Sequence, residues 1–244
     1  MKRALIATAA LAFGVFQAQA ADLAVRPAPV QEAYVAPFTW TGLYSGFHVG
    51  YGWGNTRGRV DALNLNDVPN MPKPNGWFAG TSVGYNWQMS NIVLGVEADF
   101  SYGKVKGSST IFNIPNVGSV GATSNLDYFF TVRGRLGFAM DRFLVYGTGG
   151  FAYGHNNATV NLTAANGVGV RIFDDNGHTG WTAGGGLEYA VTNDWSIKGE
   201  YLYMDLGRKN YHFIQGAPNL AANLGLRVHT AKIGLNYKFN FFGL

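Results

Sequence analysis

The fold is decided by residues 43–54, which read LYSGFHVGYGWG. Mainly apolar and aromatic side chains occupy every second position, and small or polar residues occupy the positions between them. The first set contains Leu43, Ser45, Phe47, Val49, Tyr51 and Trp53. The second set contains Tyr44, Gly46, His48, Gly50, Gly52 and Gly54. Because successive side chains of a β-strand point to opposite faces, the pattern predicts a strand with one apolar face.

The same period-2 pattern recurs along the chain, at residues 77–89, 92–102, 126–138, 181–191, 195–203 and 227–239. Residues 143–154 also resemble a strand, although glycines occupy both of their faces and leave the facing ambiguous. These runs predict eight strands of about 10–13 residues, which is long enough to cross a bilayer at a tilt.

The predicted connections alternate between short and long. Tight turns are expected at Ser90-Asn91, Met140-Asp141 and Thr192-Asn193-Asp194. The other four connections, near residues 55–76, 104–125, 155–179 and 207–226, are polar and about 20 residues each. Short turns on one side and long loops on the other are typical of bacterial outer-membrane barrels, with both chain ends on the periplasmic side. We therefore predict an all-β, eight-stranded antiparallel up-and-down transmembrane β-barrel in the cell outer membrane.

Composition favours a membrane barrel over a soluble domain. Charged residues make up only 13% of the chain, compared with roughly 25% in soluble domains. No segment after residue 20 is apolar over the ~18 residues that a spanning helix needs. The chain has no cysteine, which excludes disulfides, thiol catalysis and cysteine-based metal sites. The net charge of +4 is small and no dense basic run is present, so no nucleic-acid partner is expected.

The first 20 residues have the layout of a secretory signal peptide. A basic start at residues 2–3 precedes an apolar core at residues 4–16 and the small-x-small motif AQA at 18–20. Cleavage is predicted between Ala20 and Ala21. The remaining chain is then expected to comprise a periplasmic N-terminal linker at 21–41, the barrel at 42–239 and a short C-terminal extension at 240–244.

The aromatic residues cluster at the two ends of the predicted strands, with aliphatic residues between them. The set at the long-loop end contains Trp53, Trp77, Tyr102, Tyr128, Tyr153, Trp181 and Tyr203. The set at the short-turn end contains Trp87, Phe138, Phe143, Tyr189, Trp195, Tyr237 and Phe239. Two aromatic girdles around an aliphatic band are typical of a bilayer-facing surface. A soluble barrel of the lipocalin type, which buries its apolar face, is the less favoured alternative.

Charged residues share the strand face opposite the aromatic residues, which becomes the interior of a membrane barrel. They are Glu97, Asp99, Asp127, Arg133, Arg135, Glu188, Lys198, Glu200, Lys232 and Lys238, five acids and five bases. An eight-stranded barrel is only wide enough for side chains to fill, and buried charges are costly unless they are paired. We therefore predict a salt-bridged plug, with a narrow ion path lined by the same residues as the alternative.

Motifs for catalysis or cofactor binding are absent or weak. The chain has no Walker-type loop and no HExxH motif. Some eight-stranded outer-membrane barrels are lipid A deacylases, and these pair a His with a Ser two residues later. None of the five histidines in this chain has a Ser two residues after it. A loop triad of His155 or His178 with Asp174 or Asp175 stays open, and His155, His178 and His212 lie on loops that haem or a metal ion could reach. Their spacing is not that of a metal site, so no cofactor and no enzyme activity are predicted.

Six motifs are distributed over the whole predicted mature chain. They are ADL at 21–23, WTGLYSGFHVGYGWG at 40–54, GW at 76–77, GYNW at 84–87, VYGTGGFAYG at 145–154 and GGGLEY at 184–189. Together these motifs resemble those of the alphaproteobacterial major outer-membrane protein and porin family. That family includes the Brucella surface antigens and their rhizobial relatives, and belongs to the OmpA-like eight-stranded barrel superfamily.

The resemblance implies a structural surface protein that contributes to envelope integrity or host contact. A narrow porin for small solutes and a haem- or ligand-binding barrel are the alternatives, and a lipid-modifying enzyme is the least favoured. The expected partners are outer-membrane lipid and lipopolysaccharide, the barrel-insertion machinery, and a host or cell-surface ligand at the outer loops. One departure is that YKF at 237–239 fits the terminal aromatic signal of such barrels, yet residues 240–244 follow it.

Overall fold

The computed structural model describes residues 38–60, 68, 70–212 and 221–239. The predicted signal peptide with its cleavage site at Ala20 and Ala21, most of the predicted linker, and the predicted extension at 240–244 lie outside the described residues. Among the residues that are described, no helix is long and apolar enough to cross a membrane.

Eight antiparallel strands form the fold, and each pairs with the next along the chain. They are β1 (Gly42–Val60), β2 (Asn75–Met89), β3 (Ile92–Ile114), β4 (Gly118–Met140), β5 (Phe143–Ala164), β6 (Gly169–Ala190), β7 (Trp195–His212) and β8 (Ala221–Phe239). Strand β8 also pairs with β1, from Leu43–Phe239 to Val60–Ala222, and closes the sheet into a barrel. The predicted all-β, eight-stranded antiparallel barrel is therefore confirmed.

The period-2 pattern sorts side chains between the bilayer and the interior. Phe47 and Trp77 on the outer face are 73% and 72% exposed, whereas the inward-facing Tyr44 and Phe78 are buried. Exposed apolar side chains recur on every strand, so the barrel offers lipid an apolar wall on all sides. Because each strand has two hydrogen-bonded neighbours, no sheet edge is left open within the bilayer.

The strands are longer than the sequence pattern predicts, with 15 residues in β2 and 23 in β3 and β4. The β3–β4 ladder continues to the pair Ile114–Gly118, and the β5–β6 ladder to Thr163–Gly169. The interpretation of residues 104–125 and 155–179 as long loops is therefore wrong. Both faces of a sheet that projects beyond the bilayer can meet water, so the alternation that identifies a strand weakens there.

The opposite ends of the strands are joined by short turns. Ser90-Asn91 connects β2 to β3, and Asp141-Arg142 connects β4 to β5, one residue later than predicted. Ser90 and Asp141 have φ angles of 56° and 52°, the left-handed conformation that primed hairpin turns require. Residues 191–194 connect β6 to β7. Short turns of this kind lie at the periplasmic end of outer-membrane barrels, and we call this end of the strands the periplasmic end.

Irregularities in the ladders occur just beyond the outer aromatic residues. Those at this level lie between Tyr102 and Val105 on β3, at Asp127 on β4, and between Asp205 and Arg208 on β7. A further register shift lies farther out on β3, between Thr110 and Phe112. In the β4–β5 ladder Asp127 is an extra residue between the pairs made by its two neighbours. An extra residue reverses the facing of all positions beyond it. As a result Leu126 points inward and is buried, although the sequence pattern places it outward.

Candidate functional site

Eight charged side chains form one layer in the middle of the barrel. They are Glu97 and Asp99 from β3, Arg133 and Arg135 from β4, Glu188 from β6, Lys198 and Glu200 from β7, and Lys232 from β8. Each is at most 5% exposed, and the set contains four acids and four bases. We call this group the charged layer. It is electrically balanced, as a set of charges removed from water must be if they are to remain ionised.

Arg133 lies at the centre of the charged layer. Its Nη2 lies 2.6 Å from Glu97 Oε1 and 2.7 Å from Asp99 Oδ2, and its Nη1 lies 3.0 Å from Glu200 Oε1. Its Nε donates to Thr131 Oγ1 at 2.9 Å, and that hydroxyl donates to Asp99. One guanidinium group therefore holds three carboxylates from two different walls of the barrel.

Lysines from β7 and β8 extend these ion pairs across the interior of the barrel. Lys198 Nζ donates to Glu97 Oε2 at 2.7 Å, and this contact joins β7 to β3 on the opposite wall. Lys232 Nζ lies 2.9 Å from Glu200 Oε1 and 3.5 Å from Asp99 Oδ2. These ion pairs fill the cross-section, since an eight-stranded barrel has room for little more than its own side chains.

A second group of contacts surrounds Arg135 on the periplasmic side of Arg133. Its guanidinium pairs with Glu188 and lies 3.7 Å from the centre of the Tyr146 ring. Glu188 also accepts hydrogen bonds from Ser196 at 2.6 Å and from Asn236 at 2.7 Å. The positive charge of Arg135 is therefore stabilised by the carboxylate of Glu188 and by the aromatic face of Tyr146.

Two inward-facing tyrosines connect the Arg133 and Arg135 contacts. The Tyr44 hydroxyl donates to Glu97 Oε2 at 2.7 Å and accepts from Arg135 at 3.0 Å. The Tyr146 hydroxyl donates to Glu200 Oε2 at 2.9 Å. The sequence pattern gave a usable signal for Tyr44, which occupies the small and polar set of the first strand, but its role as a hydrogen-bond donor to the charges was not predicted.

Apolar clusters lie on both sides of the charged layer. The outer cluster contains Phe78, Val105, Leu126, Phe129, Ala152, Met204, Leu206, Leu226 and Val228. The periplasmic cluster contains Trp40, Val93, Ala139, Leu144, Tyr146 and Ala190, with Phe38 packed against it. Trp40 Nε1 donates to the carbonyl of Asp141 at 3.1 Å, which fixes the segment before β1 across the mouth of the barrel. The sequence analysis assigned Trp40 to a linker and missed this function.

Two predicted interior charges are not part of the charged layer. Asp127 sits on the β4 bulge, is half-buried, and accepts hydrogen bonds from Asn125 and Asn157. Lys238 follows the inward parity of β8 but lies at the end of the strand, where it contacts the carbonyl of Thr39 and the ring of Phe38. Lys238 therefore keeps the predicted inward facing but lies near the periplasmic mouth. The bulge turns Asp127 away from the interior, contrary to the prediction.

The fourteen predicted girdle residues all lie on the outward parity of their strands, near either end of the apolar wall. At the outer end the rings contact one another laterally, as in Trp181–Tyr203 with centroids 5.4 Å apart. At the periplasmic end Trp195 and Tyr237 have centroids 4.9 Å apart. Histidines extend the outer set, since His155 stacks on Tyr128 at 4.7 Å. That stacking places His155 on the outer wall of the sheet.

The residues proposed for a loop triad or a haem site are only partly within the described structure. His178 points inward, is 1% exposed, and has a lowered pKa because it is buried. The side chains of Asp174, Asp175 and His212 lie outside the described part. Among the side chains that are described, no group of three His, Asp or Glu residues could hold a metal ion.

A family model for the outer membrane protein β-barrel domain matches residues 8–239. A 31 kDa outer-membrane immunogenic protein of Brucella melitensis biotype 1 is 37% identical over 247 residues, which cover 98% of this chain and 100% of the relative. A 22 kDa outer membrane protein of Rhizobium leguminosarum bv. viciae is 32% identical over 214 residues, covering 86% and 83%.

Solved barrels are similar at lower identity. Neisserial surface protein A has a TM-score of 0.44 at 16% identity, with 82% of this chain and 98% of that chain covered. The outer membrane protease OmpT from Escherichia coli has a TM-score of 0.48 at 12% identity, with 84% and 99% covered.

Proposed function

Because the chain belongs to the outer membrane protein β-barrel family, which includes the Brucella immunogenic proteins, we propose that it is a closed structural barrel that stabilises the cell envelope. The observation that carries this proposal is the charged layer enclosed between two apolar clusters. The protein is a surface barrel of the outer membrane, and its proposed role is to stabilise that membrane as a structural component.

A conducting pore needs a continuous water-filled path, and apolar side chains interrupt such a path through this interior. At the periplasmic end Trp40 and Leu144 belong to a buried apolar cluster, and the cavity beside Trp40 that extends to Glu188 is small. An ion from outside meets Phe78 and Phe129, whose ring centroids are 5.1 Å apart. Apolar constrictions of this kind close channels by excluding water. The contacts therefore favour the closed barrel over the narrow porin.

Planar-bilayer recording tests the closed barrel. We expect no steady conductance from the purified protein, and we expect the variant Phe78→Ala/Arg133→Ala/Leu144→Ala to conduct, since it removes the central cation together with one side chain from each apolar cluster. Arg142 in the β4–β5 turn lies outside the charged layer and provides a control, and Arg142→Ala should stay closed. Insertion of each protein is checked by its mobility on a detergent gel with and without boiling. A steady conductance of nanosiemens size from the unaltered protein would contradict the proposal.

An enzymatic role is not part of the proposal. His48 Nε2 lies 2.9 Å from Ser101 Oγ, the type of pair that can activate a nucleophile. Both side chains are buried inside the barrel beside the charged layer, where a lipid substrate has no approach. The pair is better explained as a polar bridge between β1 and β3. Unchanged lipid A mass in cells with and without the protein is the expected result.

Contact with another cell surface is the second candidate function, and the outer hairpins favour it. The β3–β4 and β5–β6 ladders project past the bilayer-facing wall and end in Val117 and Val168, which are 64% and 63% exposed. Exposed valines at the tips of hairpins that project beyond the bilayer are placed where they could contact a protein on another cell. Adhesion of cells that carry Val117→Asp/Val168→Asp should fall below that of Ser90→Asp cells, in which a periplasmic turn is changed instead.

A further inference from the structure

Positive charge is concentrated at the outer end of the barrel. Among the described side chains beyond the outer aromatic residues, the bases are Arg57, Lys73, Lys104, Lys106, Arg208, Lys209 and Arg227. The acids there are Asp127 and Asp205, and both are already engaged in contacts within the protein. The described periplasmic turns and strand ends carry Arg142 and Lys238 against Asp141 and Asp194. Among the charged side chains that the structure describes, the excess of cations is thus at the outer end.

Three of these cations meet on one side of the barrel, where β7, β8 and β1 are neighbours. In the ladders Arg57 of β1 and Arg208 of β7 both pair with Gly225 of β8. Their Cα atoms are therefore two strand spacings apart, about 10 Å, within reach of two arginine side chains that bend toward each other. One step closer to the membrane, Arg227 pairs with Asn55 on one side and Asp205 on the other. We call Arg57, Arg208 and Arg227 the arginine cluster.

The backbone is shaped to bring Arg208 over β8. The β7 irregularity between Asp205 and Arg208 contains Gly207, whose φ of +67° is left-handed. A Cβ on residue 225 would lie 3.1 Å from Arg208 Cγ and 3.9 Å from its Nε. The side chain of Arg208 therefore crosses Gly225 in the direction of β1. A larger residue at position 225 would need to displace it.

Asp205 orients the third arginine. Arg227 Nε donates to Asp205 Oδ2 at 2.9 Å, and both side chains are partly exposed. This contact uses one of the five N–H donors of the guanidinium, so most of its hydrogen-bonding capacity is not consumed by Asp205. The cluster as a whole keeps an excess of positive charge, since the ion pair with Asp205 neutralises one of its three arginines.

Aromatic rings directly below the arginine cluster set its depth in the membrane. In the ladders Trp53, His229 and Tyr203 form the next outward row toward the bilayer. Trp53 and His229 stack with centroids 5.9 Å apart, and His229 Nδ1 lies 2.6 Å from the Tyr201 hydroxyl. Tryptophan and tyrosine belts lie at the level of lipid headgroups. The arginines just above this row are therefore at the height of the charged groups of outer-leaflet lipid.

We propose that the arginine cluster binds the anionic headgroup of an outer-leaflet glycolipid through its phosphate or carboxylate oxygens. Arginine suits this task because its planar fork matches such oxyanions with two parallel hydrogen bonds. The acyl chains of the same lipid would lie on the apolar wall below Trp53. The site rests on the envelope function proposed above and names the lipid through which the barrel would be anchored in its leaflet.

Lipid binding in detergent micelles tests the site. The probes are bisphosphorylated lipid A and the same lipid with both phosphates removed, and bound lipid is counted by native mass spectrometry. The variant Arg57→Gln/Arg208→Gln should bind bisphosphorylated lipid A at least about tenfold more weakly, a loss of roughly 1.4 kcal/mol. Lys104→Gln/Lys106→Gln, on β3 of the same rim, changes the net charge equally and should retain nearly full binding. Arg57→Gln alone changes one exposed side chain and should show part of the same loss.

Two results would overturn the site. One is an equal loss in the arginine and lysine variants, which would show attraction by net charge alone. The other is equal affinity of the unaltered protein for the phosphorylated and phosphate-free lipids. Neither result depends on whether the interior conducts, because the variants leave the charged layer intact. Failure of the lipid site and failure of the closed barrel are therefore separable.

Discussion

Glu97 and Arg133 are directly opposite each other in the β3–β4 ladder, and their side chains meet inside the barrel with Oε1 and Nη2 2.6 Å apart. Both are buried, so neither charge has water to replace its partner. The same glutamate receives Lys198 from the opposite wall. Lys198 thus extends the Glu97–Arg133 pair of neighbouring strands to the opposite wall of the barrel. These ion pairs explain how an eight-stranded interior can be both polar and filled.

Removal of the central cation should be strongly destabilising. Arg133→Leu would leave Glu97, Asp99 and Glu200 in the interior without their shared partner. Loss of one member of a buried ion pair costs roughly 3–5 kcal/mol, because the remaining charge is uncompensated. Urea unfolding of the protein in lipid vesicles measures the change. Arg142→Leu in the half-buried β4–β5 turn is the control, with an expected loss of about 1 kcal/mol or less from its contacts with Asn193 and Phe38. A loss below about 1 kcal/mol for Arg133→Leu would contradict a central role for this residue.

The ion pair between Glu97 and Lys198, which joins opposite walls of the barrel, should appear as energetic coupling between these two residues. Glu97→Gln and Lys198→Met are each expected to lower the free energy of unfolding. The double variant should lose less than the sum of the two, by about 1–3 kcal/mol, since contacting residues of one network are not additive. The non-contacting pair Lys198→Met and Asp127→Asn, measured in the same way, should be additive within about 0.5 kcal/mol.

The sequence was sufficient to predict the strand number and the closed topology because every strand of a membrane barrel follows the same rule. One face of the strand contacts lipid, and the other faces the polar interior. The same rule identified Glu97, Arg133 and the other six members of the charged layer as inward-facing. It did not predict partners, since register across the interior depends on which strands are opposite and not on spacing along the chain. It also could not reveal that Trp40, which precedes the first strand, packs inside the periplasmic mouth.

Errors in the sequence analysis arose where the repeat is interrupted. A bulge inserts one residue without a compositional signal. The sequence pattern therefore placed Leu126 outward and Asp127 inward, whereas the structure has the reverse. The outer parts of β3 to β6 lack a bilayer on either side, and their polar composition resembles that of loops. In both cases the physical cause is the same, because periodicity reports the environment of a strand and not the strand itself.

Substitutions on the two sides of the bulge should distinguish the observed facing from the predicted one. Leu126→Ala removes a buried side chain from the outer apolar cluster and should cost about 2–4 kcal/mol of unfolding free energy. Asp127→Ala removes hydrogen bonds from a half-buried surface position and should cost about 1 kcal/mol. Urea unfolding in vesicles compares the two variants. A larger cost for Asp127→Ala than for Leu126→Ala would favour the facing that the period-2 pattern predicted.

His178 should make the outer part of the barrel sensitive to mild acid. Burial lowers its pKa below the ordinary value of 6.5, and the nearby positive charge of Lys209 acts in the same direction against a hydrogen bond with the backbone of Leu206. The histidine is therefore neutral in the folded protein, whereas a locally opened state binds a proton more readily. Its contribution to stability is complete above pH 6.5 and is lost as the pH falls from 6.5 through the lowered pKa of the folded state.

Hydrogen exchange of the backbone amides near residues 178 and 206 measures this effect. As the pH falls below 6.5, local opening corrected for intrinsic exchange should increase by up to about tenfold per pH unit, the limit for one proton. His178→Gln should remove the dependence, because glutamine does not titrate. His155→Gln is the matched control on the outer wall, where the ring stacks on Tyr128, and it should leave the dependence in place. The same acid sensitivity in His178→Gln would assign the effect to another group.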